Sequence, residues 1–362
     1  MKLPKISTNF DFWLIVIPLL LAASSISTLF SITSVSQKTQ LAVNQGIYFI
    51  IGFALYFLIV AFNYRQLRSY GFYLYLFGLA GIILVIFFGQ TVFGSRRSID
   101  FGPLQYQPSE FMKLFLLFFG AYFFVDRKVS VRSTIVYIFL IVVPIIFVYL
   151  QPDLGTTLVL AMTALSIFIA ARPSKKIILV SAAVLLLAIP VGWLSLKDYQ
   201  KERLTTFLNP MSDPLGSGYN VNQSKIAVGS GGLTGKGFGN ATQSQLQFIP
   251  VAHIDFIFSG WAEATGFMGS AAMIVGFLLL IWRVINAGYL SQDSFGYLFC
   301  MGASGMLIFQ AFVNIAMNIG LAPVTGIPLP LVSYGGASII TTMMILGVVQ
   351  NIYMRRRSLK FD

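Results

Sequence analysis

Ten long apolar runs constrain the fold of this chain more than any other feature. Each has about 17 residues or more, which is enough for a helix to cross a hydrocarbon core of about 30 Å. They lie near residues 10–31, 44–62, 69–90, 108–125, 133–150, 153–171, 177–195, 255–284, 294–320 and 329–352. The runs predict an all-α polytopic membrane protein with about ten transmembrane helices, in which residues 1–362 form a single integral membrane domain.

Composition narrows the class of protein further. Hydrophobic residues make up 57% of the 362 positions and charged residues only 10%, whereas soluble domains carry roughly 25% charge. One cysteine and one histidine exclude a disulfide framework and argue against a zinc site. The net charge of +12 comes from basic residues in short loops, so it indicates membrane topology and not a nucleic-acid surface.

The basic residues also set the orientation, because cytoplasmic loops of membrane proteins are enriched in Lys and Arg. With the N-terminus inside, the inner segments hold 15 basic residues and the short outer loops hold three, Lys38, Arg96 and Arg97. Both termini are therefore predicted to be cytoplasmic. Residues 196–254 become one large extracytoplasmic loop.

The polar motifs gather on the outer side in this topology. They lie at the outer ends of the spans or in outer loops and include Arg96, Arg97, Glu110, Lys113, Asp153, Asp255 and Ser333. The inner side offers little besides basic loops. We therefore expect chemistry at the outer leaflet, where ATP is absent and the substrate itself must supply the energy.

Asp255 is the main catalytic candidate. It follows the polar stretch 196–254 and stands at the start of an apolar run, where a carboxylate costs free energy. It could be a carboxylate stabilised by a helix N-terminus, but we favour a general base or a cation ligand facing a cavity. His253 either tunes this carboxylate or is an ordinary interfacial histidine.

Glu110 and Lys113 form a second candidate. Their i, i+3 spacing places them on one helix face, where they can pair, and pairing is expected because an unpaired charge in the membrane is expensive. The pair is either purely structural or lines a substrate cavity, with Lys113 available to phosphate.

Further positive charge on the outer side comes from Arg96, Arg97, Arg203, Lys225 and Lys236. The paired N–H donors of an arginine guanidinium suit phosphate oxygens. Each of these residues could instead be a solvated loop charge. Residues 229–239 contain six glycines but lack the pattern of a nucleotide-binding loop. They predict either tight turns or a backbone that approaches a ligand closely.

Several longer motifs together resemble the SEDS family (shape, elongation, division and sporulation), over essentially the whole chain. They are Gln107-Pro108-Ser109-Glu110-Phe111-Met112-Lys113, Gln151-Pro152-Asp153-Leu154-Gly155, Gly218-Tyr219-Asn220-Val221-Asn222-Gln223, His253-Ile254-Asp255 and Pro323-Val324-Thr325-Gly326-Ile327-Pro328-Leu329-Pro330. The last of these resembles the elongation branch of the family more than the division branch.

The resemblance implies a ten-span enzyme of the bacterial cytoplasmic membrane that polymerises the peptidoglycan precursor lipid II. The family's essential aspartate corresponds to Asp255, and its outer ion pair to Glu110 and Lys113. Family members act with a class B penicillin-binding protein and other elongation-complex proteins. This chain departs from the family at two positions, where Val251 and Thr265 stand in place of the family's usual accessory acids. Their absence weakens the case for a metal site built on two carboxylates.

We therefore expect an inverting glycosyltransferase. Asp255 would accept the proton of the acceptor hydroxyl, and basic residues would stabilise the undecaprenyl diphosphate that leaves. A divalent cation, Mg²⁺ or Mn²⁺, is compatible with this chemistry, with Asp255 as a ligand. The residues expected to bind substrate are Glu110, Lys113, Arg96, Arg97, Asp153, Arg203, Lys225, His253 and Ser333. The alternatives are a lipid II flippase and a passive scaffold, although a scaffold would leave the buried charges unexplained.

Overall fold

The computed structural model describes residues 10–33, 39–92, 95–100, 105–125, 127–209, 217–246, 248 and 252–356. Each of the ten predicted runs overlaps one long helix. These helices are α1 (Trp13–Thr33), α2 (Gln40–Ala61), α4 (Gly71–Phe88), α5 (Pro108–Phe124), α6 (Val131–Leu150), α7 (Leu154–Ala170), α8 (Lys175–Ser195), α12 (Ile257–Tyr289), α13 (Ser294–Asn318) and α14 (Gly336–Met354).

Seven of these helices are long and apolar enough to cross a membrane, namely α1, α2, α4, α6, α12, α13 and α14. α5 and α7 are shorter, with 17 residues each. The chain is therefore a helical membrane protein with several spans. The count of ten spans and the cytoplasmic location of both termini stay predictions.

The helices differ in how deeply they are buried. Over the most apolar 18 residues of each helix, 83% of α14 and 61% of α13 is buried inside the protein, compared with only 28% of α4 and of α6. α5 is buried along nearly its whole length, from Pro108 to Phe124. The chain therefore has a central group of helices, α5, α13 and α14, and peripheral helices whose exposed apolar faces suit lipid.

Short-range signals fix several helix starts. Pro108 occupies the first turn of α5, where its missing N–H costs nothing. Asp153 caps α7, with its Oδ1 accepting from Thr156 N at 3.0 Å, and Asp293 caps α13 by accepting from Gly296 N at 2.8 Å. These caps fix where α5 and α7 begin, beside the residues predicted to bind substrate.

Two regions differ from the predicted all-α pattern. A three-stranded antiparallel sheet, β1 (Gln90–Val92), β2 (Ser95–Asp100) and β3 (Gln105–Tyr106), lies between α4 and α5. The apolar run predicted from residue 329 becomes helical only at Gly336. Residues 321–335 instead form an irregular segment, which we call the α13–α14 loop. Pro328 and Pro330 in this loop are poor helix formers, which apolar content alone does not reveal.

The predicted outer loop 196–254 also contains helices, namely α9 (Asp198–Leu208), α10 (Ser217–Ser230) and the single turn α11 (Thr242–Gln245). The glycine-rich segment follows α10 and enters a break in α12 at Gly266, which has a φ of 68°. Of the two predictions for this segment, the tight turns are confirmed, with positive φ at Gly232, Gly235 and Gly237. The backbone does approach another surface closely, but that surface is α12, and the approach to a ligand stays a prediction.

The glycine segment replaces the helical hydrogen bonds that the break removes. The carbonyls of Glu263 and Ala264 accept from Lys236 N at 3.0 Å and Gly237 N at 2.9 Å. The N–H groups of Phe267 and Met268 donate to the carbonyls of residues 232 and 233 at 2.8 and 3.1 Å. Buried backbone N–H and C=O groups need hydrogen-bond partners. The glycine segment supplies partners for the α12 groups that the break leaves without helical bonds.

Candidate functional site

Asp255 lies in a turn formed by residues 252–256, directly before α12. The residue is partly exposed, although protein atoms surround most of its carboxylate. Within the described residues, no group donates a hydrogen bond to its carboxylate. A carboxylate that caps a helix would accept from the first N–H groups of that helix, so the turn does not use Asp255 in this way.

Three charged residues from other elements act on Asp255. Burial raises the pKa of Asp255 from 3.8 to about 6, Arg203 of α9 and Arg97 of β2 lower it, and Asp153 at the start of α7 raises it. Perturbed carboxylates in partly open sites are typical of catalytic groups. The structure thus brings four of the predicted site residues into one electrostatic neighbourhood.

Arg97 and Asp153 are held by neighbouring backbone. The Arg97 guanidinium donates to the carbonyls of Gln151, at 3.2 Å, and Pro152. The Asp153 carboxylate accepts from Thr156 and, at 3.4 Å, from Gln107 Nε2. Asp153 is therefore occupied as a helix cap beside Asp255. Arg96 also lies in β2, but its side chain is outside the part of the chain described here.

Arg203 connects α9 to the α13–α14 loop. Its Nη1 donates to the carbonyl of Val324 at 3.4 Å, a long contact that leaves most of its donors to other partners. Gly326, two residues further on, has a φ of 71°, and a Cβ at this position would lie 3.9 Å from Asp255 Oδ2. The α13–α14 loop therefore forms one wall beside the carboxylate.

Ser333 and His253 join the same loop to the Asp255 turn. The Ser333 hydroxyl donates to the carbonyl of Ile254 at 2.6 Å and accepts from Leu329 N at 2.8 Å. The carbonyl of His253 accepts from Tyr334 N at 3.0 Å, and the two rings lie 5.9 Å apart. Ser333 is thus engaged within the protein, and its predicted contact with substrate would require these bonds to open.

Lys225 and Lys236 contact other parts of the chain. Lys225 is exposed on α10, and its aliphatic stem lies against Gly320, where an added Cβ would come within 2.7 Å of Lys225 Cδ. Lys236 Nζ lies 3.1 Å from Glu263 Oε1. Lys236 is therefore part of the contact with the α12 break and not a loop charge free for phosphate.

The predicted pairing of Glu110 with Lys113 is confirmed. Glu110 Oε2 lies 2.5 Å from Lys113 Nζ, and the two side chains are 5% and 2% exposed. The contact is an ion pair without hydrogen-bond alignment, since within the described residues no group donates a hydrogen bond to Oε2. Lys113 can reach phosphate only if the helices around α5 move apart.

Glu263 is a second carboxylate close to Asp255 in the sequence, in the first turns of α12. It is fully buried, and its carboxylate accepts from Lys236 Nζ, Gln243 N, Ser244 N and Ser244 Oγ at 2.7–3.1 Å. These bonds make Glu263 a structural group at the α12 break. Across the described ranges, no three His, Cys, Asp or Glu side chains come together as a metal-binding group.

Sequence analysis did not single out Asn314 and Asn318, which are fully buried on α13 and contact the Asp255 turn. The signal that could have found them is their i, i+4 spacing in an apolar run, because buried amides require partners. Gly326 was quoted only as part of a motif, and its position beside Asp255 depends on the folding of the α13–α14 loop.

Comparisons with known proteins agree with this architecture. Residues 7–358 match the family model FtsW/RodA/SpoVE, described as cell cycle protein. The chain is 40% identical over 291 residues to the peptidoglycan glycosyltransferase MrdB of Escherichia coli K12, covering 79% of this chain and 78% of MrdB. It is 35% identical to the probable peptidoglycan glycosyltransferase FtsW of Haemophilus influenzae, covering 94% and 89% of the two chains.

Solved structures show the same fold. One chain of a peptidoglycan synthase complex that coordinates polymerization and crosslinking matches with a TM-score of 0.81 and 30% identity, covering 96% of this chain and 98% of that chain. The rod shape determining protein RodA of Thermus thermophilus matches with a TM-score of 0.73 and 27% identity, covering 97% and 99%. The chain belongs to the FtsW/RodA/SpoVE family of cell cycle proteins, the SEDS family that its motifs resemble.

Proposed function

We propose that this chain is a peptidoglycan glycosyltransferase that polymerises lipid II at the outer face of the bacterial cytoplasmic membrane during cell elongation. The names of its relatives support the activity. The observation that carries the proposed site is Asp255, a partly exposed residue whose carboxylate accepts no hydrogen bond from the described residues and is stabilised by the positive charges of Arg203 and Arg97.

The reaction is a single displacement. The 4-hydroxyl oxygen of one lipid II attacks the anomeric carbon of the growing glycan, and the bond from that carbon to undecaprenyl diphosphate breaks with inversion. Asp255 takes the hydroxyl proton. A base is most effective when its pKa lies close to the working pH, so a pKa near 6 makes Asp255 a better base than an ordinary surface aspartate.

The leaving diphosphate requires positive charge where its own charge develops. Arg203 suits this role because its positive charge already acts on the Asp255 carboxylate, and its guanidinium offers several N–H donors in a geometry that matches phosphate oxygens. Arg97 lies in the same neighbourhood, although it is anchored to two carbonyls. Arg96, Lys113 and Lys225 remain further candidates for phosphate contact.

A divalent cation fits this site only in part. Asp255 has a carboxylate without hydrogen-bond donors among the described residues, whereas the Asp153 carboxylate accepts from Thr156 and Gln107. Mg²⁺ commonly binds one or two carboxylates together with substrate phosphates. Asp255 and the substrate diphosphate would therefore hold such a cation, which would neutralise charge on the leaving group.

The partner we propose is a class B penicillin-binding protein that crosslinks the new strands. The chain shares its fold with a component of a solved complex that coordinates polymerization with crosslinking. Its peripheral helices expose large apolar side chains, which a transmembrane helix of a partner could cover. Co-purification from membranes should recover the transpeptidase, and polymerisation should increase when both proteins are present.

The proposed orientation places both termini in the cytoplasm and Asp255 outside. Single cysteines at Ser217 and Ser358 test it, because the native Cys300 is buried. An impermeant thiol reagent should label position 217 in intact cells and spare position 358. Labelling at position 358 would reverse the topology.

Reconstitution tests the activity itself. Purified protein with lipid II in detergent, alone and with its transpeptidase partner, should yield glycan polymer on a gel. No polymer under either condition, combined with transfer of labelled lipid II across proteoliposome membranes, would favour the flippase.

A further inference from the structure

Two buried asparagines stand behind the Asp255 turn. Asn314 and Asn318 are four residues apart on α13, so they share one face of the helix. Both side chains are fully buried. A buried carboxamide is costly unless its groups are bonded, so its partners indicate what it does.

Both asparagines donate to the same oxygen. Asn314 Nδ2 lies 3.1 Å from the main-chain carbonyl oxygen of Asp255, and Asn318 Nδ2 lies 3.0 Å from it. This carbonyl belongs to the residue whose carboxylate we propose as the base. Two donors on one carbonyl fix the peptide plane that follows Asp255, and that plane directs the side chain.

The remaining groups of the pair bind the segments around Asp255. Asn314 Nδ2 also donates to the carbonyl of Ile327 at 2.8 Å, next to Gly326 and the wall of the carboxylate pocket. Asn318 Oδ1 accepts from Ser259 N at 3.1 Å in the first turn of α12. The carbonyl of Asn318 accepts from the Ser224 hydroxyl of α10 at 2.7 Å.

α13 thus fixes four segments relative to one another. They are the Asp255 turn, the α13–α14 loop, the start of α12 and α10. α13 is suited to this task because it is among the most buried helices. The carboxylate itself has no donor among the described residues, so its direction depends on the backbone that the asparagines hold.

We infer that Asn314 and Asn318 are positioning residues for Asp255, setting the direction of its carboxylate toward the acceptor hydroxyl without touching substrate. The inference rests on the proposed role of Asp255 as the base. Misplacing a catalytic group by about 1 Å can cost about 10²-fold in rate. Loss of either amide should therefore lower kcat and leave the KM for lipid II unchanged.

The test uses Asn314→Leu and Asn318→Leu, since Leu has nearly the shape of Asn but no hydrogen-bonding group. The matched control is Asn351→Leu. Asn351 is also fully buried, and its Nδ2 donates to the carbonyls of Ile59, at 2.7 Å, and Phe62 at the opposite end of the molecule. All variants are purified in complex with the transpeptidase and assayed at equal folded concentration.

We expect a kcat about 10- to 100-fold below wild type for the two α13 variants, with an unchanged KM, and a lowered Tm with wild-type kcat for Asn351→Leu. If Asn314→Leu does not accumulate, Asn318→Leu and Asn314→Ser carry the comparison. Wild-type kcat in the α13 variants, or an equal loss of kcat in the control, would overturn the inference.

A double-mutant cycle separates this inference from the proposed role of Asp255. Radiolabelled lipid II quantifies the residual polymer formed by Asp255→Asn with and without Asn318→Leu. If Asn318 acts through Asp255, the second substitution adds no further loss. A further loss of the same size would refute the positioning role, whereas a near-wild-type rate for Asp255→Asn alone would refute the proposed base.

Discussion

Asp255 and Glu263 lie eight residues apart, one just before α12 and one near its start, but their surroundings differ completely. Glu263 is fully buried, and its carboxylate accepts four hydrogen bonds from residues 236–244. Asp255 is partly exposed, has no donor to its carboxylate in the described chain, and has a raised pKa. A carboxylate whose bonding capacity is used stabilises the fold, whereas one left without donors is available to a substrate.

Glu110 shows an intermediate arrangement. It is buried as deeply as a structural group, yet it has one ion-pair partner, Lys113, with poor hydrogen-bond alignment. Its surroundings predict a large effect on stability. The comparison therefore predicts that substitutions around Glu263 and Glu110 change the free energy of unfolding. Substitution of Asp255 should instead change the rate of lipid II polymerisation.

The largest effect on stability is expected at Gly235, where the glycine segment meets the α12 break. Gly235 has a φ of 81°, and an added Cβ would lie 2.2 Å from the carbonyl oxygen of Ala264. Gly235→Ala should cost above about 4 kcal/mol, the range of severe core changes, because backbone on both sides must move. Thermal unfolding in detergent and the yield of folded protein measure it.

Gly237 supplies the matched control. Its φ of 83° is nearly the same, but an added Cβ would meet no atom within 4 Å. Gly237→Ala should therefore cost only the backbone term, about 1–2 kcal/mol. Equal losses at the two positions would mean that the contact with α12 contributes nothing.

A smaller loss, about 3 kcal/mol, is expected for Lys113→Ala, because it leaves the Glu110 carboxylate buried without its counter-charge. Combining Glu110→Gln with Lys113→Met should restore expression and Tm. If Lys113 also binds phosphate, the double variant should fold but fail to polymerise lipid II. An active double variant would remove Lys113 from the substrate site.

The smallest of these losses is expected for Glu263→Gln. Glutamine keeps one acceptor oxygen but leaves part of the Lys236, Gln243 and Ser244 donor set without a partner, at a cost of about 1–2 kcal/mol. Polymerisation per folded molecule should stay at the wild-type rate. A loss of rate that exceeds the loss of folded protein would place Glu263 in the chemistry and erase the contrast with Asp255.

The sequence predicts the parts of the molecule that depend on local patterns. Runs of apolar residues located ten helices, and the i, i+3 spacing predicted the Glu110–Lys113 pair, because both signals act within one helix. The sequence also placed Asp255, Asp153 and Arg97 on one predicted side of the membrane, but it did not predict that the charges of Asp153 and Arg97 act on Asp255.

Features that depend on contacts between distant segments were not predicted. The exchange of hydrogen bonds between residues 232–237 and the α12 break has no periodic signature, so the sequence did not predict the structural role of Glu263. Residues 329–335 are apolar enough to be taken as helix, although they form part of a loop. The β-sheet that carries Arg97 is short and polar, and it follows an apolar run without a distinct strand pattern.

The direct test of the account is Asp255→Asn, because Asn has nearly the shape of Asp but cannot accept a proton at neutral pH. The pKa of this carboxyl rises from 3.8 to about 6 on folding. Folding thus favours the protonated form, and the ionised form opposes folding increasingly as pH rises from about 4 through 6. Asn removes that opposition at pH 7.5.

The measurement is glycan polymer from lipid II, together with Tm at pH 7.5, for wild-type and Asp255→Asn protein at matched folded concentration. We predict at least about 10²-fold less polymer, the low end of what general acid–base catalysis contributes, with a Tm equal to or above wild type. Near-wild-type polymer from Asp255→Asn would contradict the account, and so would a loss of polymer that a lowered Tm fully explains.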